Sequence, residues 1–308
     1  MNRSTQNPYA AFLAPSRKRD WVEPEHDWWH WRDRRVHVAR ARPAEAPVRV
    51  IVVHGAGGHS GALWPLAGLV ASRGLDVAAP DLPLYGRTEV ADPAGVRYGD
   101  WVDLLVDFVT AEDDGRPLLL LGASIGGLLA ADVAARNPRV DHVAATCLLD
   151  PSDWRAMAAM TRFGPLGVVG RPLSLLVERW LGDSRLARVM LPVSWVANLA
   201  RMSRNPELSR MCATDPLGGG VRVPVGFLTS YIGFGHTPPG QVTTPVSLLH
   251  PSRDAWTPVA LSTRYLARVA GPSRMVLLRE CGHFPIEEPG LDDLVGAVDE
   301  IVAGLSQV

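Results

Sequence analysis

Apolar positions along the 308-residue chain repeat in two alternating patterns. Short, largely apolar runs at 48–53, 75–79, 118–121, 143–149, 246–249 and 275–278 predict strands buried on both faces. Between them the apolar period lengthens to that of a helix. Leu63, Leu66, Ala67 and Val70 mark one helix, and Trp101, Leu104, Leu105 and Phe108 a second with Asp103 and Asp107 outward. Leu291, Leu294, Val295, Val298, Ile301, Val302 and Leu305 mark a strongly amphipathic last one. An early hairpin is expected over 28–41, with Asp33-Arg34 near its turn, and a small-residue helix over 127–135. Strands alternating with helices predict an α/β fold with a mostly parallel sheet covered on both faces.

The rhythm has two interruptions. Residues 1–27, with Pro8, Pro15 and Pro24, read as a loosely packed N-terminal arm. Residues 151–242 carry no strand–helix alternation and read as a mainly helical insertion into a core of 28–150 and 243–308. The insertion is rich in large apolar side chains: Trp154, Met157, Met160, Phe163, Leu173, Leu175, Leu176, Trp180, Leu181, Trp195, Leu199 and Met202. A lid of that composition predicts an apolar pocket beneath it.

Composition narrows the class. Apolar residues make up 47% of the chain and the formal net charge is -1, so neither nucleic acid nor an anionic membrane surface is an expected partner. Cys147, Cys212 and Cys281 are odd in number and far apart, with neither metal-ligand spacing nor a disulfide framework. No run approaches the roughly 18 apolar residues of a membrane span. The first 25 residues lack the apolar stretch of a signal peptide. The expectation is a soluble protein in a reducing, cytoplasmic setting.

The chemistry starts at Gly122-Ala123-Ser124-Ile125-Gly126, directly behind the leucine run 118–121. A strand running into a glycine-flanked serine and then a helix is the pattern of a nucleophile elbow. The turn crowds its neighbours, and glycine on both sides relieves the crowding. Ser124 is thereby held at the carboxyl edge of the sheet, and the Ile125 N–H, at the start of a helix, can face a developing oxyanion. The glycines at 55, 57 and 58 do not form a phosphate loop, because neither the P-loop spacing nor a spaced dinucleotide fingerprint is present.

Four segments then resemble the α/β-hydrolase fold family over roughly residues 28–308. They are His54-Gly55-Ala56-Gly57-Gly58 at a strand end, Asp81 to Thr88, the elbow, and His250 to Asp254 with Cys281-Gly282-His283-Phe284-Pro285. The start at His54, followed by His59-Ser60-Gly61, is most similar to monoacylglycerol-lipase-like serine esterases. Leu84 and Thr88 stand where the family usually has Gly and Ser. The resemblance implies Ser124 as nucleophile, His283 as base, and an acid on the loop after residue 249, where Asp254 is followed by Pro258. Asp150, at the end of the 143–149 run, is the alternative acid, and Asp254 is favoured. The oxyanion donors implied are the N–H groups of Ala56 and Ile125, with His54, Gly55 and Gly57 supporting the loop and Asp81 tying down its own. His26, His30, His37 and His142 read as surface or hairpin residues, His236 as a loop residue and His250 as structural. The expected reaction is hydrolysis of an apolar, small-molecule carboxylic ester through an acyl-enzyme, needing no metal or organic cofactor. Lactone, thioester or C–C bond cleavage, acyl transfer, and a non-catalytic binding protein on the same fold stay open as alternatives.

Overall fold

In a computed structural model, which describes residues 7–160 and 184–306, eight strands form one sheet. They are β1 (Glu25–Trp31), β2 (Arg34–Ala41), β3 (Arg49–Val53), β4 (Asp76–Pro80), β5 (Leu118–Gly122), β6 (His142–Ala145), β9 (Val246–Pro251) and β10 (Ser273–Leu278), in the spatial order β1-β2-β4-β3-β5-β6-β9-β10. β1 and β2 form the predicted antiparallel hairpin, turning at Arg32 and Asp33, and β2 runs antiparallel to β4. The other neighbours are parallel. A second, two-stranded sheet pairs β7 (Met190–Pro192) with β8 (Arg222–Pro224).

Side-chain alternation explains why the central strands read as unbroken apolar runs. Ile51, Val53, Leu118 and Leu120 pack into one core layer, while Val50, Val52, Leu119 and Leu121 pack into the other. The first layer is covered by α3 (Tyr98–Ala111), α4 (Ile125–Ala134) and the end of α9 (Val259–Leu266). The second is covered by α2 (Ser60–Ala71) and α10 (Gly290–Leu305). Burying each Leu- or Val-sized side chain is worth about 1.5–3 kcal/mol, so the double-sided strands anchor the fold. Asp103 and Asp107 do face outward from α3.

Three expectations need correction. The strand expected over 143–149 ends at Ala145, where β5 beside it also ends at Gly122 and the elbow begins; Thr146 N–H still donates to Gly122 O at 2.9 Å and its Oγ1 accepts from Ser124 N. The N-terminal arm is packed: Tyr9, Ala10 and Leu13 are buried in the second core layer, and Asn7 Nδ2 donates to Gly61 O at 2.7 Å. The same arm holds the short helix α1 (Arg17–Asp20). His37, read as a surface residue, is buried with its Nδ1 2.7 Å from Asp81 Oδ2.

Between β6 and β9 the described chain leaves the large sheet. It forms α5 (Trp154–Met160), β7, α6 (Val193–Val196), α7 (Pro206–Thr214), β8 and α8 (Val225–Gly233). The β7–β8 pair was not anticipated by a mainly helical reading of this region. Of the apolar residues singled out there, Phe163, Leu173, Leu175, Leu176, Trp180 and Leu181 lie outside the described residues.

Candidate active site

β5 ends at Gly122 and α4 begins at Ile125, leaving only Ala123 and Ser124 to make the turn. Ser124 consequently takes φ 56° and ψ −128°, a backbone state that costs a non-glycine residue about 1–3 kcal/mol. Its surroundings hold it there. The Ser124 N–H donates to Thr146 Oγ1 at 3.0 Å, and Ala123 N–H donates to Val53 O at 2.8 Å. The flanking glycines are obligatory for packing as well as for the turn. A Cβ on Gly122 would stand 2.2 Å from Gly126 O, and one on Gly126 would stand 2.3 Å from Val53 O.

Ser124 Oγ lies 3.0 Å from His283 Nε2, and His283 Nδ1 lies 2.7 Å from Asp254 Oδ2. His283 and the Asp254 side chain are both almost fully buried. With Nδ1 donating to the carboxylate, Nε2 is left as an acceptor for the serine proton. Asp254 is itself held on all sides. Its Oδ1 accepts from Trp256 N and Thr257 N, each at 2.8 Å, and its Oδ2 also accepts from Thr257 Oγ1 at 2.5 Å. Burial alone would raise its pKa. His283 and the Thr257 hydrogen bonds outweigh that and hold it at about 2. The alternative acid, Asp150, instead accepts from Ser152 N at 2.7 Å in a local turn. The structure brings Asp254 to the histidine.

The loop after β3 closes over the elbow. A Cβ on Gly55 would sit 2.9 Å from Ala123 O and 3.1 Å from Ile125 N, so only glycine permits the approach. His54 fastens the loop from below, with Nδ1 2.8 Å from Gly55 O and Nε2 accepting from Leu82 N at 2.9 Å. An accepting Nε2 requires neutral imidazole, and burial accordingly pushes the His54 pKa down to about 4. Gly57 has φ +77°, in the left-handed region that glycine favours. Among the described residues, neither the Ala56 nor the Ile125 N–H is spent on another acceptor. The neighbouring loop is tied by Asp81, whose oxygens accept from Ser60 N and Arg87 N at 2.6 and 2.8 Å. In that loop Leu84 has φ 83°, the left-handed state glycine favours, which matches its position where the resembled family carries Gly.

Ser124 opens onto a cavity of about 140 Å³ between the sheet edge and the inserted segment. Met157, Met160, Val193, Val196, Phe227 and Ile232 are among its apolar walls. At roughly 10–15 Å³ per water-sized occupant, such a space holds on the order of ten heavy atoms. A smaller cleft of about 30 Å³ lies on the His283 side, lined by Ser124, the glycine loop, Met202 and Phe284. It is sized for water or a small alcohol.

Several residues at the site escaped the sequence reading. Thr257 and Thr146 supply the hydroxyls described above, and Trp256 packs against the His283 ring at 4.8 Å. Thr257 carried a signal, since an aspartate accepting from the N–H groups two and three residues on is an Asx-type turn, and Thr257 falls at the third position. His236 is tied to Asp132 at 2.7 Å, and His250 is buried with Nδ1 2.9 Å from Pro251 O, a structural placement. His142 is half-buried, 2.9 Å from Ser247 Oγ. Among the described residues no cluster of histidine, cysteine or carboxylate side chains has the makings of a metal centre, and no helix is long and apolar enough to cross a membrane.

Comparison with known proteins places these features in context. The model of the alpha/beta hydrolase family matches residues 50–296. A monoacylglycerol lipase of Mycolicibacterium smegmatis is 27% identical over 237 residues, covering 72% of this chain and 75% of that protein. A pimeloyl-[acyl-carrier protein] methyl ester esterase of Aromatoleum aromaticum is 27% identical over 250 residues, covering 75% and 89%. Among solved structures, a soluble variant of monoglyceride lipase from Saccharomyces cerevisiae superposes with a TM-score of 0.75 at 13% identity, covering 92% of this chain and 96% of that one. A monoacylglycerol lipase from Paleococcus ferrophilus gives 0.68 at 20% identity, covering 92% and 100%.

Proposed function

Because the chain belongs to the alpha/beta hydrolase family, we propose that it is a serine esterase that cleaves apolar carboxylic esters through an acyl-enzyme. Ser124 Oγ attacks the ester carbonyl carbon while His283 Nε2 takes its proton. Asp254 fixes the tautomer of His283 and stabilises the imidazolium without itself being protonated. The Ala56 and Ile125 N–H groups receive the oxyanion, and one such donor is worth about 3–4 kcal/mol in the transition state. Collapse of the tetrahedral intermediate breaks the C–O bond, and His283 returns the proton to the leaving alcohol. Water then enters, loses a proton to His283 and attacks the acyl carbon, and Ser124 leaves with that proton. Residues 151–242 act in this reading as a cap that contributes most of the acyl pocket to the core of 28–150 and 243–308.

The observation that carries the proposal is the continuous relay from Ser124 through His283 to Asp254, at 3.0 and 2.7 Å, opening directly into an apolar cavity. The monoacylglycerol lipase and methyl ester esterase relatives support ester cleavage. The test is hydrolysis of p-nitrophenyl esters from acetate to palmitate, run beside Ser124→Ala and fluorophosphonate labelling. Labelling of Ser124 and an optimum at medium chain length, both lost in the variant, are expected. An unlabelled serine with no turnover at any length would overturn the esterase and leave a binding protein.

A further inference from the structure

Ser124 borders two spaces of unequal size, and only the smaller is lined by His283. The cavity of about 140 Å³ touches Ser124, Ala56 and Ile125 but not His283. The cleft of about 30 Å³ touches Ser124, Ala56 and His283. Proton transfer decides which half of an ester goes where. As the C–O bond of an alkyl ester breaks, the leaving oxygen takes its proton from His283 Nε2, so the alcohol has to lie within reach of that nitrogen. The acyl chain is left with the larger, apolar cavity. The walls of the smaller cleft are firmly held. Tyr9, Leu63, Cys212 and Phe284 are buried in the second core layer. The Tyr9 ring stacks on Phe284 at 5.9 Å, and its hydroxyl donates to Asp215 Oδ2 at 2.6 Å. His59 Nε2 holds the same oxygen at 2.8 Å, and Phe284 N–H donates to Met202 O at 2.6 Å. The glycine loop, packed against the elbow, supplies the backbone part of the wall.

Building on the esterase reading, we infer that the alcohol half of the substrate is methyl or ethyl, and that Tyr9 of the N-terminal arm, with Met202, sets that limit. At roughly 10–15 Å³ per water-sized occupant, the cleft admits about two or three heavy atoms, the leaving oxygen included. Methanol and ethanol fit, whereas a butyl or glyceryl group has to displace a packed wall. Forcing extra methylenes into packed surroundings costs about 1–3 kcal/mol, so longer alkyl esters are rejected by overpacking at the wall. Water fits the emptied cleft as well, and from there it can lose a proton to His283 and attack the acyl carbon. The N-terminal arm thereby acts in specificity although it supplies no group to the relay.

The test holds the acyl group constant and varies the alcohol. Release of octanoate from its methyl, ethyl, butyl and 1-glyceryl esters is measured for the full chain and for Tyr9→Ala and Met202→Ala. Circular dichroism and Tm verify folding, and Met202 is only half-buried, so its variant stays readable where Tyr9→Ala does not fold. In the parent, kcat/KM for the methyl ester is expected to exceed that for the butyl and glyceryl esters by about tenfold or more. That ratio should shrink several-fold in at least one folded variant, a change in preference that mere destabilisation would not produce. Butyl or glyceryl esters cleaved as fast as methyl in the parent, or a ratio unchanged in every folded variant, would overturn the inference. Ser124-dependent turnover of p-nitrophenyl octanoate is scored separately, because p-nitrophenolate leaves as an anion and needs no proton from His283. Its presence without the methyl preference refutes the alcohol limit alone, and its absence together with failed fluorophosphonate labelling refutes the esterase reading and this inference with it.

Discussion

Thr257→Val removes one hydroxyl from the Asp254 carboxylate while keeping side-chain shape and the Thr257 backbone N–H. In the parent, Asp254 Oδ2 is shared between His283 Nδ1 at 2.7 Å and Thr257 Oγ1 at 2.5 Å. The carboxylate is buried, so water cannot replace the lost donor, and a hydrogen bond to a charged group is worth about 1.5–3 kcal/mol. At 1.36 kcal/mol per pH unit, that loss would lift the Asp254 pKa from about 2 most of the way to the ordinary aspartate value of 3.8. The sign follows from linkage. A carboxylate whose pKa is depressed on folding contributes stability that is fully present above 3.8 and is lost as the pH falls towards 2. In the parent that contribution is about 2–3 kcal/mol at neutral pH. The variant should therefore be less stable by about 2 kcal/mol at pH 7 in urea unfolding, and the deficit should shrink as the pH is lowered below 4. At pH 8 Asp254 stays ionised in both proteins, so any fall in kcat/KM reports looser positioning of His283, on the order of tenfold. Thr257→Ser, which retains the hydroxyl, should restore both. A variant within twofold of the parent in kcat/KM, with a stability deficit that does not change with pH, would refute the reasoning.

Two further outcomes follow from particular contacts. Gly126→Ala places a Cβ 2.3 Å from the Val53 carbonyl, a backbone atom that cannot swing away, so a loss of about 3 kcal/mol or an insoluble product is expected, and an unchanged Tm would show that the elbow relaxes freely. Tyr9→Phe deletes the 2.6 Å hydrogen bond from the N-terminal arm to Asp215, itself held at about 2 against burial by His59 and Tyr9. A loss of about 2 kcal/mol, read as a Tm lower by several degrees, is expected, and a Tm within about one degree of the parent would mean that the arm's hydroxyl adds nothing.

What the sequence disclosed divides along a physical line. Strands covered on both faces had to be apolar throughout, so the runs around Val50 and Leu120 announced themselves. Likewise, no residue but glycine fits at 122 and 126, so the elbow was legible from steric need alone. The features that escaped are those in which a residue's partner lies far along the chain. Tyr9 looked like part of a proline-broken arm, yet it stacks on Phe284 at 5.9 Å and bonds Asp215, contacts that no local period encodes. His37 sat in a hairpin expected to be superficial, and only the antiparallel pairing of β2 with β4 brings it to Asp81. The same division runs through the candidate site. Ser124, His283 and Asp254 stand at strand ends, where the sheet's order fixes them, and their positions were readable in advance. Tyr98 and Tyr231 come from the first turn of α3 and from α8, on opposite sides of the cavity's making, and in sequence each is one more aromatic on a helix. In the proposed reading the relay comes from the core alone, while the cavity walls come from both the core and the inserted segment. Under that reading, substitutions at the apolar walls such as Met157 and Phe227 should change which ester is chosen, and substitutions at Ser124, His283 and Asp254 should decide whether any ester is cleaved.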